Sequence, residues 1–176
     1  LGIWVGTIFA SIVWHELGHA FFRKRYGAPY SEITLWGLGG LCSGPGGFTR
    51  HQSMMIAFAG PLFNFLLGTA IVLLANFFPI DSLYFDRFVR IAIWVNFGWG
   101  ILNLLPILPL DGGHIFQAFM ANRAPRIVPM VGLVLSVMLA AWALLAFERY
   151  IFAAFLFGMM AWQNWQMLQG RGTPRF

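Results

Sequence analysis

Apolar residues run through this chain in long blocks separated by short polar punctuation. Residues 53–78, 91–110, 127–147 and 150–168 contain no Asp, Glu, Lys or Arg, and residues 1–22 form a fifth block interrupted by Glu16. About 20 such residues cross the hydrocarbon of a bilayer as a helix. The pattern predicts an all-α polytopic membrane protein of about five transmembrane helices, with spans at 1–22, 53–78, 88–110, 127–147 and 150–168. The first block carries its cations behind it, the reverse of a signal peptide, and reads as a genuine span. Segment 27–52 breaks the pattern: strand-forming Ile33, Thr34, Leu35 and Trp36 precede six glycines between Gly37 and Gly47. It reads as a re-entrant hairpin packed inside protein or as a surface loop, since bare backbone at membrane depth must be satisfied by protein or water. An exposed edge of such a hairpin would accept an extended peptide as an added strand.

Composition agrees with this pattern. Hydrophobic residues make up 59% of the 176 and charged residues 10%, with a mean hydropathy of +0.72. A water-soluble domain of this size does not cover that much apolar surface. The net charge of +5 does not point to nucleic acid, because the cations sit at the ends of spans and not on one basic face. With five successive spans, Arg23, Lys24, Arg25, Arg50, Arg123, Arg126, Arg171 and Arg175 share one side, and Arg87, Arg90 and Arg149 the other. The side richer in Lys and Arg is cytoplasmic. The expected topology therefore has the N-terminus of this stretch outside and the C-terminus inside. A single cysteine, Cys42, excludes an internal disulfide framework. No repeat or linker divides residues 1–176, which read as one membrane domain.

Chemistry concentrates in "HELGH". On a helix His15 and His19, four residues apart, project from one face and hold one metal ion, with Glu16 beside them reaching a metal-activated water. Chance produces this pattern here about 0.15% of the time, and ionisable residues inside a membrane are costly and usually functional. Catalytic zinc takes three protein ligands and keeps one position open for water. The acids available for the third place are Glu16, Glu32, Asp81, Asp86, Asp111 and Glu148. In the expected topology Asp81, Asp86 and Glu148 fall on the outer side, whereas His19 lies ~6 Å of helix before the inner cations. Glu32 follows those cations, and Asp111 ends the inward-running third span in "NLLPILPLDGGHI". Asp111 is the best third ligand by depth, with Pro106 and Pro109 breaking the helix and Gly112 and Gly113 freeing the turn. The competing reading is a loop Asp that caps a short helix after it.

Three motifs together, "HELGH" in the first span, "AGPLFN" in the second and "NLLPILPLDGGH" in the third, resemble the site-2 protease family of intramembrane zinc metalloproteases. The resemblance implies that His15, His19 and Asp111 bind one zinc ion and that Glu16 is the catalytic acid/base. It implies that Asn103 orients substrate or stabilises the oxyanion. It further implies a transmembrane protein substrate, hydrolysed within or near its membrane segment in regulated intramembrane proteolysis. A site close to the cytoplasmic face would release a cytoplasmic fragment. Members often add a leading span, a PDZ domain between core spans or CBS domains after the last. The loop at 80–87 is too short for a PDZ domain, and neither module is expected in this stretch.

Other residues invite weaker readings. His114 would orient the Asp111 carboxylate or sit at the membrane interface. Asn64, near Gly60 and Pro61, reads as a polar contact between helices at a kink, or as support for the zinc site or lining of the substrate path. His51 reads as interfacial, Cys42 as a small packed side chain or else a fourth ligand or inhibitor reaching the site, and Gly2 with Gly6 as a close-packing pair. Two alternatives compete with the protease. Another membrane zincin class completes zinc with a distant glutamate, but Glu148 lies on the wrong side. A metal transporter or catalytically silent membrane binding protein would also use His and Asp, yet would not need Glu16 beside the first ligand.

Overall fold

The computed structural model describes residues 2–36, 39–120, 125–146 and 150–171. Arg123, Glu148, Arg149 and Arg175, to which the sequence assigns sides of the membrane, lie outside them. The chain divides into two compact units, Leu1–Leu104 and Leu105–Phe176.

The first unit holds three helices and a two-stranded ribbon. Helix α1 (Gly2–Arg25) leads into strands β1 (Glu32–Trp36) and β2 (Gly39–Ser43), then α2 (Arg50–Phe77) and α3 (Leu83–Asn103). The strands pair antiparallel, Glu32 opposite Ser43 and Ile33 opposite Cys42. The ribbon lies in the segment read as a hairpin or loop: Leu35 and Trp36 stand opposite Gly40 and Gly39, and the two strands satisfy each other's backbone. Helix α2 starts three residues before the expected span because Thr49 and Gln52 form a capping box. Gln52 N–H donates to Thr49 Oγ1 and Thr49 N–H to Gln52 Oε1.

Close approach of α1 and α2 depends on Gly18, where a Cβ would lie 2.6 Å from the Ala59 carbonyl oxygen. Between α2 and α3, Phe97 lies against Gly68 and Phe65 against Gly100. Gly2 and Gly6 face open space within this chain.

The second unit contains α4 (Asp111–Met120), α5 (Ile127–Leu145) and α6 (Ile151–Leu168). The expected third span is shorter than its apolar run: α3 ends at Asn103, and 104–110 is irregular. Pro106 and Pro109 have no N–H to continue the helical ladder. Asp111 is the first residue of α4, so the short helix of the competing reading is present.

Burial is inverted relative to a water-soluble protein. Asn64, Asn96, Ser136 and Asn164 are fully buried, while Trp94 and Leu145 are each 78% exposed. Small and polar residues holding helices together beneath large apolar exteriors are what hydrocarbon solvent selects. Among the described residues two helices, α2 and α5, are long and apolar enough to cross a membrane.

Candidate metal centre

Helix periodicity sets out the inward face of α1. Thr7, Ser11, His15, His19 and Arg23 follow one another at four-residue steps, and all are buried. The first turn of this stripe is self-satisfied, Thr7 Oγ1 donating to the Ile3 carbonyl. His15 and His19 place their Nε2 atoms 3.1 Å apart.

Helix α2 decides which nitrogen each ring presents. His19 Nδ1 lies 2.8 Å from the Ile56 carbonyl oxygen, which can only accept, so Nδ1 carries the hydrogen and Nε2 the lone pair. Asn64 Oδ1, 3.1 Å from His15 Nδ1, imposes the same tautomer there. Two lone pairs converging at 3.1 Å repel unless a cation lies where both point. Ring nitrogens sharing one tetrahedral zinc at about 2.0–2.1 Å sit about 3.3 Å apart, close to this spacing. The donor set therefore fits a zinc-like ion. Gly60 leaves room for it, because a Cβ there would stand 2.6 Å from His15 Nε2 and collide with His19 Nε2. Asn64 is thus both the interhelical contact expected of it and the partner that orients His15.

Glu16 is 4% exposed and lies beneath the ribbon. A Cβ on Gly40 of β2 would come 2.5 Å from Glu16 Oε1, so the glycine lets the strand cover the carboxylate. The ribbon is clasped from α1 by Arg23, whose guanidinium donates to the Gly44 carbonyl and to Ser31 Oγ and rests 5.1 Å from the centre of the Phe48 ring. Gly44 has φ +140°, a conformation that favours glycine, and a side chain there would press on the Tyr30 carbonyl. Arg23 is therefore buried against the ribbon, while Lys24 and Arg25 remain exposed. Its place at the end of the four-residue stripe was the signal that sequence reasoning missed. Cys42, half-buried on β2, has its thiol pKa raised, chiefly by burial and further by Glu16, against lowering by Arg23 and Ser31.

The other expected residues lie on α2, α3 and α4. Asn103 is the buried last residue of α3, giving one amide N–H to the Trp99 carbonyl at 3.1 Å. Asp111 and His114 stand in the first turn of α4, Asp111 partly buried, with His114 N–H donating to the Leu110 carbonyl. His51 is exposed near the start of α2.

A helical fold carrying a paired-imidazole centre is the class of protein defined so far. Residues 4–83 and 79–145 match the model of Peptidase family M50, and the chain belongs to this family. The family is membrane-embedded. The chain is 28% identical over 155 residues to Zinc metalloprotease MJ0392 of Methanocaldococcus jannaschii, covering 85% of this chain and 45% of that protein. It is 34% identical over 121 residues to Putative zinc metalloprotease Rip3 of Mycobacterium tuberculosis, covering 66% of this chain and 30% of that protein. It thus spans less than half the length of these relatives. The fold is similar to that of a solved structure, Site-2 Protease from Methanocaldococcus jannaschii. The TM-score is 0.70 at 24% identity, over 94% of this chain and 77% of that one.

Proposed function

We propose that residues 1–176 are one membrane-embedded domain of an intramembrane zinc metalloprotease, hydrolysing a peptide bond within or near a transmembrane segment of a protein substrate. The observation that carries this reading is the convergence of two tautomer-fixed imidazoles beside a buried Glu16. Membership of the M50 family and the names of the relatives support it. His15, His19 and Asp111 would hold one zinc ion per chain, with His114 beside Asp111 as its positioning neighbour.

Bound zinc would supply a Lewis acid that polarises the scissile carbonyl and acidifies the attacking water. Glu16 takes the proton from that water at its carboxylate oxygen and delivers it to the leaving amine nitrogen as the C–N bond breaks. The second N–H of Asn103 is available to donate to the oxygen on which negative charge develops. Helical backbone carbonyls are already bonded and screened, so a transmembrane substrate unwinds before attack. The ribbon, read as a re-entrant hairpin, holds the extended segment at its edge.

The topology proposed is multi-pass, with spans carried by α1, α2, α3, α5 and α6, the N-terminus outside, the C-terminus cytoplasmic and the centre toward the cytoplasmic face. It rests on the uneven Lys and Arg distribution and on helix lengths of 24, 28, 21, 19 and 18 residues. The test is zinc content per chain of detergent-purified wild type and Asp111→Ala, with cleavage of a transmembrane reporter by wild type and Glu16→Gln in liposomes. One zinc lost on Asp111→Ala and cleavage lost on Glu16→Gln are expected. A zinc-free, folded wild type, or full function with Gln at position 16, would sink the reading and favour a transporter or a silent binding protein.

A further inference from the structure

The segment 105–110 has fewer backbone N–H donors than carbonyls. Pro106 and Pro109 remove two of its six N–H donors, and Ile107 and Leu108 are all but fully buried, at 0% and 2% exposure. Two internal bonds, Ile107 N–H to the Leu105 carbonyl and Leu110 N–H to the Ile107 carbonyl, bend the segment tightly. It folds back onto the first turn of α4, where a Cβ on Gly113 would lie 2.6 Å from the Ile107 carbonyl and the Leu108 nitrogen. The Leu108 carbonyl takes its donor from far along the chain. Asn164 Nδ2 on α6 donates to it at 2.7 Å, and to the Met160 carbonyl of its own helix at 2.8 Å.

Asn164 is fully buried, and its place is made by α5: a Cβ on Gly132 would collide with Asn164 Oδ1 and stand 2.9 Å from its Cγ. An amide is a costly residue to bury in a helix that otherwise reads as apolar. Asn164 lies beyond the residues matched by the family model, which end at 145. We propose that Asn164 is a positioning residue. By holding the Leu108 carbonyl it fixes the segment that ends at Leu110, and thereby fixes the direction in which the carboxylate of the next residue, Asp111, is presented. The metal consequence rests on the proposed function above; the clasp itself does not.

The experiment uses the full chain in detergent, comparing wild type with Asn164→Leu, which keeps size and removes the donor. Gly132→Ala is the second variant, keeping the amide but crowding it from α5. Backbone hydrogen exchange of the 104–114 peptide is measured without metal, beside exchange of the α2 peptides as a control for global folding. Faster exchange confined to 104–114 is expected. Zinc affinity by chelator competition is then expected to fall 10- to 100-fold in the same variants, the range for residues that orient metal ligands. Unchanged exchange in 104–114 in both folded variants, or wild-type zinc affinity despite faster exchange, would overturn the proposal. Faster exchange in a protein whose wild type holds no zinc would uphold the clasp and remove the zinc reading alone.

Discussion

Helices α1 and α5 both read as apolar spans, and both bury a narrow stripe at helical spacing. On α1 the stripe is Thr7, Ser11, His15, His19 and Arg23, joined by Glu16 and Gly18; on α5 it is Val128, Pro129, Gly132, Ser136 and Ala143. Hydropathy separates them, since α5 is apolar enough to cross a membrane by composition and α1 is not, but it does not say what either stripe does. The difference lies in what the stripe must find. Apart from Ser136, the residues of the α5 stripe are apolar and need only shape, and Gly132 meets Asn164. Imidazole, carboxylate and guanidinium groups on α1 need partners with directed atoms, and they have them in Ile56, Asn64, the ribbon and Phe48. A stripe of side chains that demand partners marks a site; a stripe that demands only room marks packing.

The largest effect expected from breaking this contrast is loss of metal. His19→Ala should abolish stoichiometric zinc, read by elemental analysis, while Ser136→Ala at the inward face of α5 should leave the metal content unchanged. Next, Glu16→Gln should cut cleavage of a transmembrane reporter by about 10²–10⁴-fold, the range for a positioned general base, with zinc retained. Asn64→Leu should weaken zinc binding by about 10–100-fold in chelator competition, because His15 loses the acceptor that fixes its tautomer.

Smaller effects come from one substitution placed on two faces of α1. Gly18→Ala drives a methyl into the Ala59 carbonyl and should destabilise by about 1–3 kcal/mol in thermal unfolding. Gly6→Ala meets nothing within 4 Å and should stabilise by up to about 1 kcal/mol. The smallest effect concerns Cys42. Its raised pKa keeps the thiol protonated at neutral pH, so alkylation should be slow and should accelerate only at alkaline pH. Arg23→Gln removes the cation that opposes that rise. If Arg23→Gln leaves the ribbon in place, alkylation should slow further; faster alkylation would show the ribbon released.

How far the site was legible follows from the reach of each interaction. His15, Glu16 and His19 were readable because a helix brings residues four apart together without help from the rest of the chain. The end of the third helix was less so: the prolines announced a break near Pro106, but the helix stops at Asn103 and a new one opens at Asp111. Thr49 and Gln52 were a readable capping signal that moves the start of α2 ahead of its apolar run. The ribbon was half legible, since Ile33 to Trp36 look like a strand while the glycine-led strand opposite them does not.

By itself the sequence determined the apolar helices, the paired-histidine face of α1 and the acid beside it, because each depends on local periodicity and on the solvent the side chains prefer. Only the tertiary structure decided the tautomers. His15 and Asn64 are 49 residues apart, and the choice of ring nitrogen depends on an acceptor that helix packing delivers. The same holds for Gly60, whose missing side chain matters only because two imidazoles arrive there, and for Arg23, whose charge turns inward because the ribbon offers it carbonyls. Asn164 finds Leu108 across 56 residues. A buried polar atom is stable only where a complementary atom meets it, and periodicity along one helix does not encode where that partner will be.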